Sequence, residues 1–221
     1  MNRRQFFATI LCFLISSSLM LSPGWAESEG KTIIDEWSSV TPPSVPKLTQ
    51  VIVDPATTAL LILDIQSGTC NITQRPRCAA TVPTIKELLT QARTQGMPVI
   101  YSLTSAATPA DIVPDIAPLE GEPIVKASVD KFFGTDLDKL LQERGTKKVI
   151  IVGSAAHGAV LHTATAAAIR GYQVIVPVDG MSADVAYAEQ YTAWHLINSP
   201  GTRNKVVLTQ LNLLQITGAN P

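Results

Sequence analysis

From residue 58 onward, blocks of apolar residues alternate with blocks of mixed polarity. Short apolar runs such as TALLILDI, PVIYSL, KKVIIVG, YQVIVPV and KVVLT are typical of strands buried on both faces of a sheet. Between them lie stretches with helical spacing, VPTIKELLTQARTQG and TDLDKLLQERG, and two more over residues 157–170 and 184–198. This alternation predicts βαβ units, and therefore an α/β fold with a mostly parallel sheet covered by helices on both faces.

The first 26 residues follow a different pattern. Arg3 and Arg4 precede the apolar run FFATILCFLISSSLML, and GWA ends the run with small residues around a variable one. This order is that of an export signal, and RRQFF resembles its twin-arginine variant. We therefore expect an exported protein, periplasmic or secreted; the alternative is a membrane anchor that stays in place.

Residues 27–57 are rich in turn signals, TPPSVP and VDPATT among them, and their prolines disfavour a helix. The predicted organisation is an export signal over 1–26, an extended N-terminal arm over 27–57, and one domain over 58–221.

Charge excludes some partners. The formal net charge of the chain is −1, and removal of the signal takes away two arginines and no acidic residue. The sequence shows no basic stripe with interleaved aromatic residues, so we expect no nucleic-acid partner. No second apolar run is long enough for a bilayer span, so no membrane association is expected after signal removal.

Of the three cysteines, Cys12 lies in the signal, and Cys70 and Cys78 flank NITQRPR. An isolated even pair in an oxidising compartment favours a disulfide. Two free thiols in a loop, or a catalytic Cys70, remain alternatives at this point. Two cysteines alone make a poor zinc site.

Ligands of open parallel sheets bind beyond the carboxyl ends of the strands, where the strand order reverses. Three polar positions fall there, namely Asp64, Lys126 and the turn over Gly153–Ala159. By position alone, Asp64 is as consistent with a capping residue and Lys126 with a solvated charge.

Three segments together resemble the isochorismatase-like (cysteine hydrolase) superfamily: ALLILDIQ, IVKASVDKFFGTDLDKLL and VIIVGSAAHGAVLHTATAAAIRGYQVIVPVDG. The resemblance covers roughly residues 58–210. It implies a three-layer α/β/α fold with a six-stranded, mostly parallel, Rossmann-like sheet, and no cofactor. Its amidase members use an aspartate, a lysine and a cysteine, which match Asp64, Lys126 and Ala159 in this chain.

Alanine cannot act as a nucleophile, so the resemblance points to the second mode of the superfamily. Isochorismatases proper lack the cysteine, and their aspartate protonates a vinyl ether whose oxocarbenium ion is then attacked by water. Their turn carries an Ala-His pair that matches Ala156 and His157, although they have a tyrosine where this chain has Ala155. The candidate substrate-binding residues are Gln66, Phe133, Ala155, His157 and Ala159.

A general-acid aspartate needs a raised pKa, whereas a nearby lysine lowers it. Both conditions hold together only if Asp64 is well desolvated or Lys126 points mainly at the substrate. The Asp-x-His motif of zinc-bearing nicotinamidases does not follow Tyr101, so no metal is expected. His162 and His195 are interpreted as a helix-surface residue and a structural or interface residue.

The prediction is thus an exported isochorismatase-like hydrolase of a small molecule that uses Asp64 and Lys126 without a cysteine nucleophile, and that forms a homo-oligomer. Two alternatives stay open: an exported binding pseudoenzyme on the same fold, and an amidase whose nucleophile has been replaced by Ala159.

Overall fold

The computed structural model describes residues 30–218, so the predicted export signal lies outside the described residues. The chain divides into two units, the first ending at Pro42 and the second beginning at Pro43. Within residues 30–218, no helix is long and apolar enough to cross a membrane.

The described part of the first unit contains one short helix, α1 (Ile33–Glu36). The carboxylate of Asp35 accepts hydrogen bonds from the backbone N–H and the hydroxyl of Thr32, at 2.8 and 2.9 Å. These bonds satisfy donors at the start of the helix. The segment predicted as an extended arm therefore contains a helical turn.

The second unit contains the remaining elements, whose bounds are as follows. The strands are β1 (Val51–Val53), β2 (Thr58–Leu63), β3 (Val99–Leu103), β4 (Ile124–Lys126), β5 (Lys148–Ser154), β6 (Gln173–Pro177), β7 (Met181–Ser182), β8 (Val206–Thr209) and β9 (Leu214–Ile216). The longer helices are α2 (Pro76–Thr94), α3 (Leu137–Glu143), α4 (Leu161–Ile169) and α5 (Ala186–Asn198), and one π-helical turn spans Ala156–Val160.

The main sheet has the strand order β4-β3-β2-β5-β6-β8, and every pair in it is parallel. The predicted six-stranded parallel sheet is confirmed, and the short β7 adds a seventh strand beside the end of β5. A separate parallel pair joins β1 to β9, so part of the segment predicted as an arm belongs to a small sheet. The order reverses between β2 and β5, which is where a ligand site is expected.

Alternate residues of β2 face opposite layers, as the period of a strand requires. Leu61 and Leu63 belong to the apolar cluster that α3, α4 and α5 cover. Leu60 and Ile62 belong to the cluster that α2 covers. Helices therefore cover both faces of the sheet, and the apolar runs of the sequence are its buried strands.

Helix α2 begins at Pro76, six residues before the helical spacing that the sequence shows from Val82 onward. Proline suits the first turn of a helix because the missing N–H has no intrahelical partner there. The start of α2 also lies beside the disulfide of Cys78, described below. A turn-like sequence therefore forms the first turns of this helix.

Gly153 allows the ends of β2 and β5 to approach each other closely. Its φ is +144°, and a Cβ at this position would collide with the carbonyl oxygen of Leu63. Only glycine fits both the backbone conformation and the space. The approach brings the residue after β2, Asp64, next to the turn that follows β5.

Candidate active site

Asp64 stands immediately after β2 with a φ of +54°, a conformation that aspartate adopts more readily than most residues. Its carboxyl group is held by two hydrogen bonds. Oδ1 accepts from the hydroxyl of Ser102 at 2.8 Å, and Oδ2 accepts from Nζ of Lys131 at 2.7 Å. Asp64 is only 7% exposed. The carboxyl group is therefore fixed in orientation and almost fully removed from water.

Lys131 is wholly buried, at 0% exposure. Besides Asp64, its Nζ donates to the backbone oxygens of Ala127, at 3.1 Å, and Ser128. An ammonium group has three N–H donors, and each has an acceptor here. Lys131 therefore balances the charge of Asp64 and ties its own loop together, and it has no spare donor for a substrate.

The lysine beside Asp64 is not the one that the sequence predicted. Lys126 is the last residue of the edge strand β4, and its side chain is exposed. Val125, the residue before it, faces the core, so strand alternation turns Lys126 outward. The chain then bends, and Lys131 enters the protein in its place. The expectation that Lys126 lies beside Asp64 is corrected accordingly.

Burial raises the pKa of Asp64 above its ordinary value, although the hydrogen bonds from Lys131 and Ser102 and the charge of Lys131 act in the opposite direction. Desolvation is the largest of these effects. The two conditions that the sequence left in conflict are thus both present: an adjacent ammonium group and a carboxyl group that holds its proton more tightly than usual.

Gln66 lies two residues after Asp64 in the chain and carries an unused side-chain donor. Its side chain is buried, and Oε1 accepts a hydrogen bond from the hydroxyl of Thr104 at 3.1 Å. Nε2 has no partner among the described residues. A buried N–H group without an acceptor costs free energy, so its presence calls for an acceptor that a ligand or a water can supply.

The turn after β5 holds the other predicted site residues. The peptide bond Ser154–Ala155 is cis. Ala155 is half-buried, Ala159 is buried and His157 is exposed. Ala155 and Ala159 are therefore the small side chains that this turn places near the edge of the sheet. The side chain of His157 faces solvent.

Thr163 of α4 ties this region to the loop that carries Lys131. Its hydroxyl accepts from the backbone N–H of Lys131 at 3.2 Å and donates to the carbonyl oxygen of Val129 at 3.3 Å. The loop and the helix therefore hold Lys131 from two sides. No sequence signal singled out Thr163, because a threonine on an alanine-rich helix is an ordinary residue.

The structure does not bring Phe133 to the Asp64–Lys131 pair. Phe133 is 80% exposed, and its neighbour Phe132 is the one that packs inside. The ring of Phe132 stacks on Tyr172 with centroids 6.1 Å apart. Phe132 therefore belongs to the core, whereas Phe133 faces solvent.

Cys70 and Cys78 form a disulfide, as the even pair predicted. The backbone N–H of Cys70 donates to the carbonyl oxygen of Gln66 at 2.7 Å. The bridge therefore fixes the loop that positions Gln66, and Cys70 has no free thiol for catalysis.

Replacing both cysteines by serine should lower the free energy of unfolding by about 2–3 kcal/mol, because a short loop loses its cross-link. Denaturant unfolding of the oxidised protein and the double variant measures the difference. A titration of the unreduced, denatured protein that finds both thiols free would contradict the bridge.

No cluster of three or more histidine, cysteine, aspartate or glutamate side chains suited to a metal ion lies within residues 30–218. The candidate site is built on a buried carboxyl group with a raised pKa and a saturated ammonium group, and the buried amide of Gln66 has an unpaired donor within the same residues.

The fold is a three-layer α/β/α domain, and Asp64 stands where its strand order reverses. The isochorismatase domain model matches residues 58–209, and the chain belongs to the isochorismatase family.

Relatives agree with this assignment. The chain is 32% identical over 149 residues to the uncharacterized isochorismatase family protein YwoC of Bacillus subtilis, covering 57% of this chain and 77% of that protein. It is 34% identical over 113 residues to the secreted isochorismatase effector Isc1 of Verticillium dahliae, covering 46% of this chain. The match spans only 60% of the length of Isc1.

Solved structures show the same fold. An isochorismatase family protein from Desulfovibrio vulgaris superposes with a TM-score of 0.65 at 24% identity, covering 71% of this chain and 95% of the other. The N-carbamoylsarcosine amidase of Thermoplasma acidophilum gives a TM-score of 0.61 at 22% identity, covering 71% and 97%.

Proposed function

We propose that this chain is an exported hydrolase of a small molecule that works without a cysteine nucleophile, with Asp64 as its general acid and Lys131 in the place expected for Lys126. The observation that carries the proposal is the burial of Asp64, which raises its pKa while Ser102 and Lys131 fix its orientation. A carboxylic acid that keeps its proton can give it to a substrate.

The reaction that suits this acid is the hydrolysis of an enol ether. The Asp64 proton forms a C–H bond with the electron-rich carbon of the double bond, and the ether oxygen then stabilises the resulting oxocarbenium ion. Water adds to that ion and returns a proton to the Asp64 carboxylate. The adduct splits into a carbonyl compound and an alcohol, so one water is consumed and Asp64 is regenerated.

Lys131 acts on the carboxylate and not on the substrate. When Asp64 gives up its proton it becomes negatively charged in a site from which water is largely excluded. The ammonium group at 2.7 Å stabilises that charge at the moment it forms. Because the three N–H groups of Lys131 are already used, it is a positioning residue.

Gln66 and the turn over 155–159 are proposed to bind the substrate. The free Nε2 donor of Gln66 suits an oxygen of the substrate. Ala155 and Ala159 leave space that larger side chains would fill, and His157 lies at the outer edge of the turn.

Export is supported by the pattern of the first 26 residues and by the disulfide, since disulfides persist in oxidising compartments. A relative named as a secreted effector is consistent with it.

A screen of enol ethers and small amides tests the proposal. Turnover of an enol ether that persists after treatment with iodoacetamide is expected, because no thiol takes part. Amide hydrolysis that iodoacetamide abolishes would exclude the mechanism.

Ala159→Cys should leave the fold intact and should not produce efficient amide hydrolysis, because the site around it is arranged for proton transfer by Asp64. The amide hydrolysis rates of wild type and variant are compared, with Ala155→Cys as the matched control in the same turn. A gain of several orders of magnitude would instead identify an amidase whose nucleophile has been replaced.

One observation favours a second candidate, a binding protein without turnover. The ammonium group of Lys131 is saturated and Asp64 is 7% exposed, so the pair is closed as it stands. Ligand binding by a chain that turns over neither enol ethers nor amides would support this function.

A further inference from the structure

A wide cleft lies between α4 and α5, outside the Asp64 site. Its volume is about 760 Å³, within the usual range for small-ligand sites. The chain has three histidines, and all of them line this cleft: His157, His162 and His195. They come from the turn after β5, from α4 and from α5, so the fold gathers the chain's whole set of imidazoles at one place.

The walls of the cleft are aromatic and its floor is apolar. Tyr187 and Tyr191 stand on α5, and the floor includes the buried residues Leu161 and Ala188. The hydroxyl of Tyr191 lies 3.4 Å from Nδ1 of His195, and the two ring centroids are 5.7 Å apart. These contacts hold a pair of rings on one side of an apolar surface, which suits a flat, apolar ligand body.

Arg170 provides a fixed positive charge in the cleft. Its guanidinium carbon lies 4.6 Å from the centroid of the Phe132 ring, and Nη1 donates to the carbonyl oxygen of Ala166 at 3.1 Å. These contacts hold the guanidinium plane while most of its five N–H donors are left for another acceptor. A guanidinium group held in this way binds a carboxylate well, because two parallel hydrogen bonds can form.

Asp130 sets a limit on the charge of the ligand. It also lines the cleft, and its Oδ1 accepts the backbone N–H of Phe132 at 2.9 Å. A carboxylate in the lining repels a second negative charge, so a ligand with a single negative charge is favoured over a dianion.

The cleft adjoins the proposed Asp64 site, because His157 of the turn over 155–159 lines it, but the Asp64–Lys131 pair lies outside its lining. Asp130 faces the cleft, whereas the next residue, Lys131, extends into the protein toward Asp64. Neither Asp64 nor Lys131 lines the cleft.

We infer that the cleft between α4 and α5 is a second binding site, for a small aromatic monocarboxylate. The carboxylate pairs with Arg170, and the ring lies against Tyr187 and Tyr191 over the apolar floor. The inference does not depend on the reaction proposed for Asp64.

The test uses 4-fluorobenzoate as the probe and fluorine NMR of the full chain as the readout. Arg170→Gln should weaken binding at least about tenfold, the scale of one charge-assisted pair. Tyr191→Ala should weaken it as well. Two controls, Arg203→Gln at an exposed arginine outside the cleft and Asp64→Asn in the other site, should leave the affinity unchanged. The neutral 4-fluorobenzamide should bind much more weakly than the acid.

Three outcomes would overturn the inference. The first is an affinity that Arg170→Gln does not change, or no binding at all. The second is an affinity lost in Asp64→Asn, which would place the probe in the other site. The third is sedimentation showing a dimer that Tyr187→Glu dissociates, since the cleft would then be covered by a second copy of the chain.

Discussion

Turnover should fall by about 10²–10⁴-fold when Asp64 is replaced by asparagine, the usual scale for the loss of a positioned acid. Asparagine tolerates the positive φ of this position, and its side-chain oxygen can accept the hydrogen bond from Lys131 while its amide nitrogen donates to the hydroxyl of Ser102. It has no acidic proton, so the variant removes the chemistry and keeps the geometry. The measurement is kcat on the best enol ether of the screen. Asp54→Asn is the control, since its Oδ1 only accepts a backbone N–H, that of Ala56.

The pH profile gives the same hypothesis a second test. The proposed mechanism needs the protonated form of Asp64, and burial raises its pKa. The rate should therefore be highest below that pKa and should decrease as the pH rises through it. A rate that instead increases with pH over this limb would mean that the carboxylate is the active form, and Asp64 would then be a base.

At a pH above the pKa of Asp64, replacing Lys131 by methionine should lower the free energy of unfolding by about 3–5 kcal/mol, because the buried Asp64 carboxylate loses its charged partner. Methionine fills a similar volume, so the effect reports the charge and its hydrogen bonds. Lys126→Met is the matched control: its side chain is exposed, and the expected change is within about 0.5 kcal/mol. Denaturant unfolding of both variants measures the difference.

The double variant Asp64→Asn, Lys131→Met measures the interaction between the two side chains apart from their contacts with the rest of the core. If the two side chains act on each other, the double variant should be less destabilised than the sum of the two single changes. Strict additivity, or equal effects of the Lys131 and Lys126 variants, would contradict the arrangement described above. In any Lys131→Met protein that retains turnover, the alkaline limb of the pH profile should move to higher pH, because Lys131 opposes the rise of the Asp64 pKa.

The sequence predicted the sheet and the position of Asp64 because both follow from strong local patterns. A short run as apolar as β2, followed by helical spacing and another apolar run, is typical of a buried parallel strand, and the residue that ends such a strand lies at the carboxyl edge of the sheet. The disulfide followed from the predicted export to an oxidising compartment and from the count of cysteines. These predictions needed no knowledge of which side chains meet across the fold.

To predict that Lys131, and not Lys126, contacts Asp64 did require knowing which side chains meet across the fold. Motif spacing favoured Lys126, but the outcome depends on how the chain bends after β4 and on the carbonyl oxygens of Ala127 and Ser128 that receive Lys131. The one available signal was the pair of phenylalanines directly after Lys131, which marks that loop as partly buried. The sequence likewise did not predict that the three histidines line one cleft. His162 and His195 stand on helices whose packing the sequence does not specify.

The contact between Asp64 and Lys131 joins residues 67 positions apart in the chain. Contacts of this span form only after a long loop has been closed, so they belong to the later, non-local part of folding. The proposed acid Asp64 therefore acquires its partner, and with it the orientation that the proposed proton transfer needs, only when β2 and the loop after β4 have docked together. Regain of turnover during refolding should accordingly report completed assembly of the sheet, and should lag behind the recovery of helical signal.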